Sequence, residues 1–161
     1  MQAPSKVCPI VLRNCNAVEV LAFEHPSAGL QLVKGTIELG ETPAEAAVRE
    51  LREESGLEAS AVADLGLWES GHLGHVWSFQ LCESASPVFD RWTHRTEDDG
   101  GHEFAFFWQA LHAEPSEHWH PVYRRALAHI RGLSFNMSID TDPQQQEAAS
   151  PLMLVVRSSL R

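Results

Sequence analysis

The sequence predicts an α+β fold in which a mixed β-sheet lies between two helices. Strand-like segments rich in apolar and β-branched residues fill the first third, and a sharply bounded helix at 43–55 follows. More strand-like segments then lead to a second helix at 121–131. Strands grouped in this way, without regular strand–helix alternation, argue against a doubly wound parallel sheet.

Lys6 to Arg13 and Val18 to His25 flank the turn material Arg13-Asn14-Cys15-Asn16 and read as a hairpin. After the break at His25-Pro26-Ser27-Ala28-Gly29, Leu30 to Val33 makes a short third strand. The period then changes. Ala44, Ala47, Val48 and Leu51 recur at i, i+3, i+4, i+7, one face of a helix. Thr42 serves as N-cap, Pro43 suits the first helical position and Glu45 completes a capping box. Gly56 supplies the left-handed stop, so the helix is placed at Pro43 to Ser55.

Ala61 to Ser70 and His75 to Cys82 read as strands around the turn Gly71-His72-Leu73-Gly74, and Val88 to His94 as a weaker one. Arg95 to His102 is polar and glycine-bearing, hence a loop, and Phe104 to Leu111 is an aromatic strand. Pro121 to Arg131 is the second helix, stopped by Gly132. The domain is thus expected over 1–132. The remainder, 133–161, is polar and Gln-rich up to Ser150 and is expected to be a flexible tail, with the apolar run at 151–156 unassigned.

Composition narrows the functions. Twelve Lys+Arg stand against 22 Asp+Glu, a net charge of −10, which disfavours general nucleic-acid binding. No apolar run approaches the ~20 residues that span a bilayer. The N-terminal MQAPSKVCPIVLR lacks a signal cleavage site. A soluble cytoplasmic protein is expected, without membrane partners, either monomeric or homodimeric. Cys8, Cys15 and Cys82 are odd in number and form no CxxC pair, which disfavours disulfides and structural zinc. His118 and His120 are read as turn residues before the second helix, not as a metal pair.

The chemistry lies on the far side of the first helix. Glu50, Glu53 and Glu54 stand at i, i+3, i+4, so three carboxylates share one face. Their repulsion would be relieved by a divalent cation, and hard oxygen donors suit Mg²⁺. A solvated helix face is the plainer account of the triplet alone. The wider spacing decides between them. From Gly35 the chain reads GTIELGETPAEAAVRELREESGL, and it fits G-x5-E-x7-R-E-U-x-E-E-x-G-U (U aliphatic) at every specified position. Seven fixed residues at roughly 7% frequency each would coincide by chance about once in 10⁸ trials.

This segment resembles the signature box of the Nudix hydrolases. The resemblance implies an α/β/α sandwich over about residues 5–132 and a box that holds Mg²⁺ or Mn²⁺ against a pyrophosphate while water attacks phosphorus. Glu53 and Glu54 match the principal metal ligands, and Glu50 matches a ligand or water-orienting glutamate. The backbone carbonyl of Lys34 matches a further ligand. Glu41 and Arg49 match a structural ion pair, and Gly35 and Gly56 match backbone-geometry positions. Glu103, which opens the aromatic strand, resembles a distal general base, with Glu97, Asp98 and Asp99 as alternatives. Lys34 replaces the first glycine of the commonest box opening, and its side chain is a candidate phosphate contact. Trp68, Trp77 and Phe23 are candidates for stacking on a base, or else plain core.

The expected activity is Mg²⁺-dependent hydrolysis of a P–O–P bond in a small nucleotide-type substrate. The Lys34-Gly35 opening tilts the choice towards a nucleoside triphosphate or dinucleoside polyphosphate over ADP-ribose. The competing expectation is a catalytically silent Nudix-like domain that binds a nucleotide or a partner.

Overall fold

The computed structural model describes residues 2–133, so the expected tail lies outside the described residues from 134 onward. Eight strands form one mixed sheet: β1 (Lys6–Asn14), β2 (Val18–His25), β3 (Gly29–Gln31), β4 (Gly35–Thr36), β5 (Ala59–Glu69), β6 (Val76–Ser84), β7 (Trp92–Thr96) and β8 (His102–Ala110). The order is β5-β6-β1-β2-β8-β7, with β3 paired to β2 and β4 to β1. Among the described strands only the β1–β6 pairing is parallel.

Helices α1 (Pro43–Ser55) and α2 (Pro121–Arg131) cover opposite faces. The period of two along β1 divides its side chains between them. Val7 and Val11 meet Ala46, Ala47 and Leu51 of α1, whereas Cys8 and Ile10 meet Val122, Ala126 and Ile130 of α2. Leu51 is fully buried, a contribution of about 1.5–3 kcal/mol for a leucine. The expected sandwich of a mixed sheet between two helices is therefore observed. Among the described residues no helix is long and apolar enough to cross a membrane, and all three cysteines are free.

Three expectations are corrected. The strand sought at 88–94 is β7 at Trp92–Thr96, and the Arg95–His102 loop shrinks to a 3₁₀ turn at Asp98–Gly100. Phe89 stays 75% exposed, and its carbonyl accepts a hydrogen bond from Trp108 Nε1–H (3.0 Å) instead of joining a ladder. The third strand is also shorter than expected. It ends at Gln31; Leu32 and Val33 turn into the two cores, and the two-residue β4 follows on β1. Two residues are too few to show a period in sequence.

The sheet splits where β1 and β2 diverge. Their pairing covers only Leu12–Asn14 against Val18–Val20. Beyond that, β1 pairs with β4 and β6, while β2 pairs with β3 and β8. Side chains from both sets line a cleft of about 540 Å³ at this split, closed on a third side by α1.

Candidate active site

Both ends of α1 are fixed locally. Thr42 Oγ1 accepts from the Glu45 N–H (3.2 Å), and Glu45 Oε2 accepts from the Thr42 N–H (3.1 Å). Gly56 takes φ +79° and donates its N–H to Arg52 O (2.9 Å). Strand β7 supports the same end: Trp92 Nε1–H donates to Ser55 O (2.9 Å), and His94 Nε2 lies 3.1 Å from Glu53 O. Carbonyls that a helix terminus leaves without intrahelical partners are thus engaged beside the glutamates.

With Ala46, Ala47 and Leu51 turned to the sheet, Glu50, Glu53 and Glu54 face the cleft together with Arg49. Arg49 is the hub of the site. It binds Glu41 in a bidentate fork (Nε–Oε1 2.5 Å, Nη2–Oε2 2.9 Å) and reaches Glu50 (2.9 Å) and Glu53 (3.1 Å) through Nη1. It also donates to Thr36 O (2.9 Å), which ties β4 to the helix. Hydrogen bonds from Arg49 and from the Glu38 N–H hold the Glu41 carboxyl down at about 2. The loop leading into α1 is therefore clamped to the helix by this fork.

Burial raises the proton affinity of Glu50, against the pull of Arg49. Glu54 is raised further, by burial and then by the charges of Glu50 and Asp98. Its Oε2 is buried without a hydrogen-bond partner. An unpartnered buried carboxylate oxygen is costly, and a positive ligand relieves it. Hard carboxylate oxygens of this kind suit Mg²⁺, which retains water and shares its shell with substrate phosphates. Among the described residues no three His, Cys, Asp or Glu side chains are gathered as a complete metal cage, and Glu50 and Glu53 both lean on Arg49.

The cleft contains Lys34, Gly35, Glu50, Glu53, Glu54 and Arg49 together, as the sequence pattern implies. It does not contain Glu103. Successive strand residues point to opposite faces; His102 and Phe104 line the cleft, and Glu103 between them is exposed outside it, opposite Arg95. The distal acid that does line the cleft is Asp98, from the 3₁₀ turn. Trp77 is completely buried in the α2-side core with Trp68 against its edge, so neither lines the cleft. Phe23 does, stacked on Phe104 at 4.3 Å.

Lys6, His25, His102 and Tyr123 also line the cleft and had no sequence signal. His102 lies parallel to the Phe104 ring (6.3 Å, 6°), and His25 leans on both (4.9 and 5.3 Å). His25 Nδ1 accepts the Ser27 and Ala28 N–H groups, both at 3.1 Å. Of the two histidines expected in the turn before the second helix, His120 is the N-cap of α2, accepting from the Val122 N–H at 3.2 Å. The His118 carbonyl accepts from the Leu30 N–H (3.0 Å) and pins the preceding loop to β3.

A family model for the NUDIX domain matches residues 5–130. The chain belongs to the Nudix family. Membership places it among hydrolases of pyrophosphate bonds. No curated protein matches the sequence. Among solved structures, an ADP-ribose pyrophosphatase from Streptococcus suis is similar at TM-score 0.61 and 15% identity, over 80% of this chain and 90% of that one. A Nudix-family hydrolase from Clostridium perfringens is similar at TM-score 0.56 and 14% identity, over 81% and 97%. A UDP-X diphosphatase is similar at TM-score 0.55 and 15% identity, over 81% and 64%. At such identities these likenesses establish the shared Nudix fold.

Proposed function

We propose that this Nudix chain is a divalent-cation-dependent pyrophosphohydrolase that cleaves a P–O–P bond in a small nucleoside diphosphate-linked compound, with a nucleoside triphosphate or dinucleoside polyphosphate favoured. The observation that carries the reading is the Glu54 carboxylate, buried with one oxygen unpartnered beside Glu50 and Glu53. A binding module with no chemistry to perform has no need to hold three carboxylates against their repulsion.

Glu53 and Glu54, with the Lys34 carbonyl, are the ligands proposed for Mg²⁺ or Mn²⁺, and of the two roles open to Glu50, ligand or water-orienting glutamate, the second is the one proposed. Bound there, the cation offsets the charge that develops on the phosphates. Water attacks phosphorus in line, and the P–O bond to the leaving phosphate breaks. Glu50 takes the proton of the attacking water, because burial raises its proton affinity and Arg49 fixes one of its oxygens. Glu103 is left out of this proton path, since β8 turns it away from the cleft. Arg49, held by Glu41, positions Glu50 and Glu53.

Hydrolysis of a panel of pyrophosphate compounds in Mg²⁺ and ¹⁸O-labelled water tests the proposal. The label is expected on a product phosphate group, and Glu53→Gln is expected to lower kcat by orders of magnitude. Release of phosphate from monoesters alone, with every pyrophosphate left intact, would overturn it. Binding without turnover of any compound would favour the silent domain.

A further inference from the structure

Strand β7 sends two N–H donors onto the end of α1 that carries the glutamates. Trp92 and His94 stand at i, i+2 and so share one face of the strand. Trp92 Nε1–H reaches Ser55 O (2.9 Å), and His94 Nε2 reaches Glu53 O (3.1 Å). A carbonyl oxygen can only accept, so His94 carries a proton on Nε2. Thr96, next on the same face, lines the cleft, and the turn beyond it carries Asp98.

Glu53 O belongs to the peptide that joins Glu53 to Glu54. In a continuing helix this oxygen would accept from the Leu57 N–H. That amide is instead turned to Ser55 Oγ (3.1 Å), and Gly56 ends the helix. His94 therefore supplies the bond that fixes the plane of this peptide, and with it the directions in which both glutamate side chains leave the backbone. The contact is shaped from both sides. A Cβ on Gly56 would come within 2.9 Å of His94 Nδ1, so the glycine leaves room for the ring as well as making its left-handed turn. Trp92 is stacked on the buried Phe106 ring (4.9 Å, 9°), which anchors the strand beside the helix. The place is also electrostatically demanding. Carboxylates are disfavoured in the last turn of a helix, where the partial negative charge of its carbonyls gathers. N–H donors on two of those carbonyls weaken that field beside Glu53 and Glu54.

We infer that His94 is a positioning residue for the metal site: its Nε2–H holds the Glu53–Glu54 peptide so that both carboxylates face one cation, with Trp92 bracing the same turn. This rests on the pyrophosphohydrolase reading and extends it to a strand outside the box. His94 lies outside the cleft lining and acts through the helix backbone.

Mn²⁺ binding, read from the electron paramagnetic resonance of the free ion, tests this without any turnover. His94→Phe keeps a ring beside Gly56 and removes the donor. It is expected to weaken Mn²⁺ binding about tenfold, the loss typical when a group behind a metal ligand is removed. His94→Gln restores an N–H and is expected to recover most of the affinity. If His94→Phe folds poorly, Trp92→Phe decides: it keeps the stack on Phe106, loses the donor, and is expected to shift affinity in the same direction. Wild-type affinity in the deciding variant, a loss that His94→Gln does not restore, or no Mn²⁺ binding in wild type overturns the positioning role. In sub-saturating Mg²⁺, kcat on an accepted pyrophosphate compound is expected to fall by a similar factor in His94→Phe with KM little changed. A rise in KM alone overturns the role as well. His94-dependent Mn²⁺ binding without turnover of any pyrophosphate would instead refute the hydrolase reading and leave the positioning role standing.

Discussion

Gly35 is packed directly against the carboxyl group of Glu50: a Cβ at position 35 would overlap its carboxyl carbon and both oxygens. Strand β4 and helix α1 therefore meet through a glycine backbone and a catalytic candidate side chain. The glycine of the box is required here by close approach, whereas Gly56 at the other end is required by its φ of +79°.

Gly35→Ala is accordingly expected to push Glu50 out of place. Overpacking of this kind costs about 1–3 kcal/mol in stability. The loss of kcat should exceed what the change in melting temperature suggests, with at least a tenfold drop in turnover at a temperature where the variant remains folded. An alanine variant with wild-type kcat would show that Glu50 needs no fixed position.

The unpartnered oxygen of Glu54 sets a second expectation. In metal-free protein, Glu54→Gln should melt at or above the wild-type temperature, because a buried repelled charge is replaced by a neutral amide of the same size. Mg²⁺ should raise the wild-type melting temperature through binding to the native state, and it should raise that of Glu54→Gln far less. Thermal melts with and without Mg²⁺ read both effects. An identical Mg²⁺ shift in the two proteins would remove Glu54 from the metal site.

The Arg49–Glu41 fork carries a pH signature. The folded Glu41 carboxyl is held at about 2, below its ordinary value of 4.5. A depressed acid contributes stability that is present above the unfolded value and lost as pH falls through the folded one. Wild type should therefore lose stability from about pH 4.5 down to about pH 2 through this group, and Glu41→Gln should lack that component. Denaturant midpoints measured at pH 6, 4 and 3 for both proteins check the sign. A variant that tracks the wild type across the whole series would contradict the assigned ion pair.

The placement of the distal acids ranks three variants. Glu50→Gln should cost the most in kcat, Asp98→Asn should cost less, and Glu103→Gln should fall within a fewfold of wild type. Asp98 faces the cleft and Glu103 faces away from it. Steady-state kinetics on any accepted substrate decide the order, and a loss in Glu103→Gln comparable to that in Glu50→Gln would reverse the assignment of the proton path.

Sequence alone determined α1 and the residues of its box, because every signal there is local. The Thr42–Glu45 capping box, Pro43, the left-handed Gly56 and the i, i+3, i+4 carboxylates all lie within a few residues of one another. Helix α2 and most strands were legible for the same reason, through period and turn chemistry. Tertiary structure decided what depends on pairing between distant segments. The parallel β1–β6 contact, the two-residue β4 and the split that opens the cleft leave no periodic trace in one strand. Pairing of β7 with β8 set which of Glu103 and His102 faces inward, since a shift of one residue reverses a strand's faces. The same holds for Lys34: its charge found the Trp77 and Tyr123 rings only when β6 and α2 were brought beneath it.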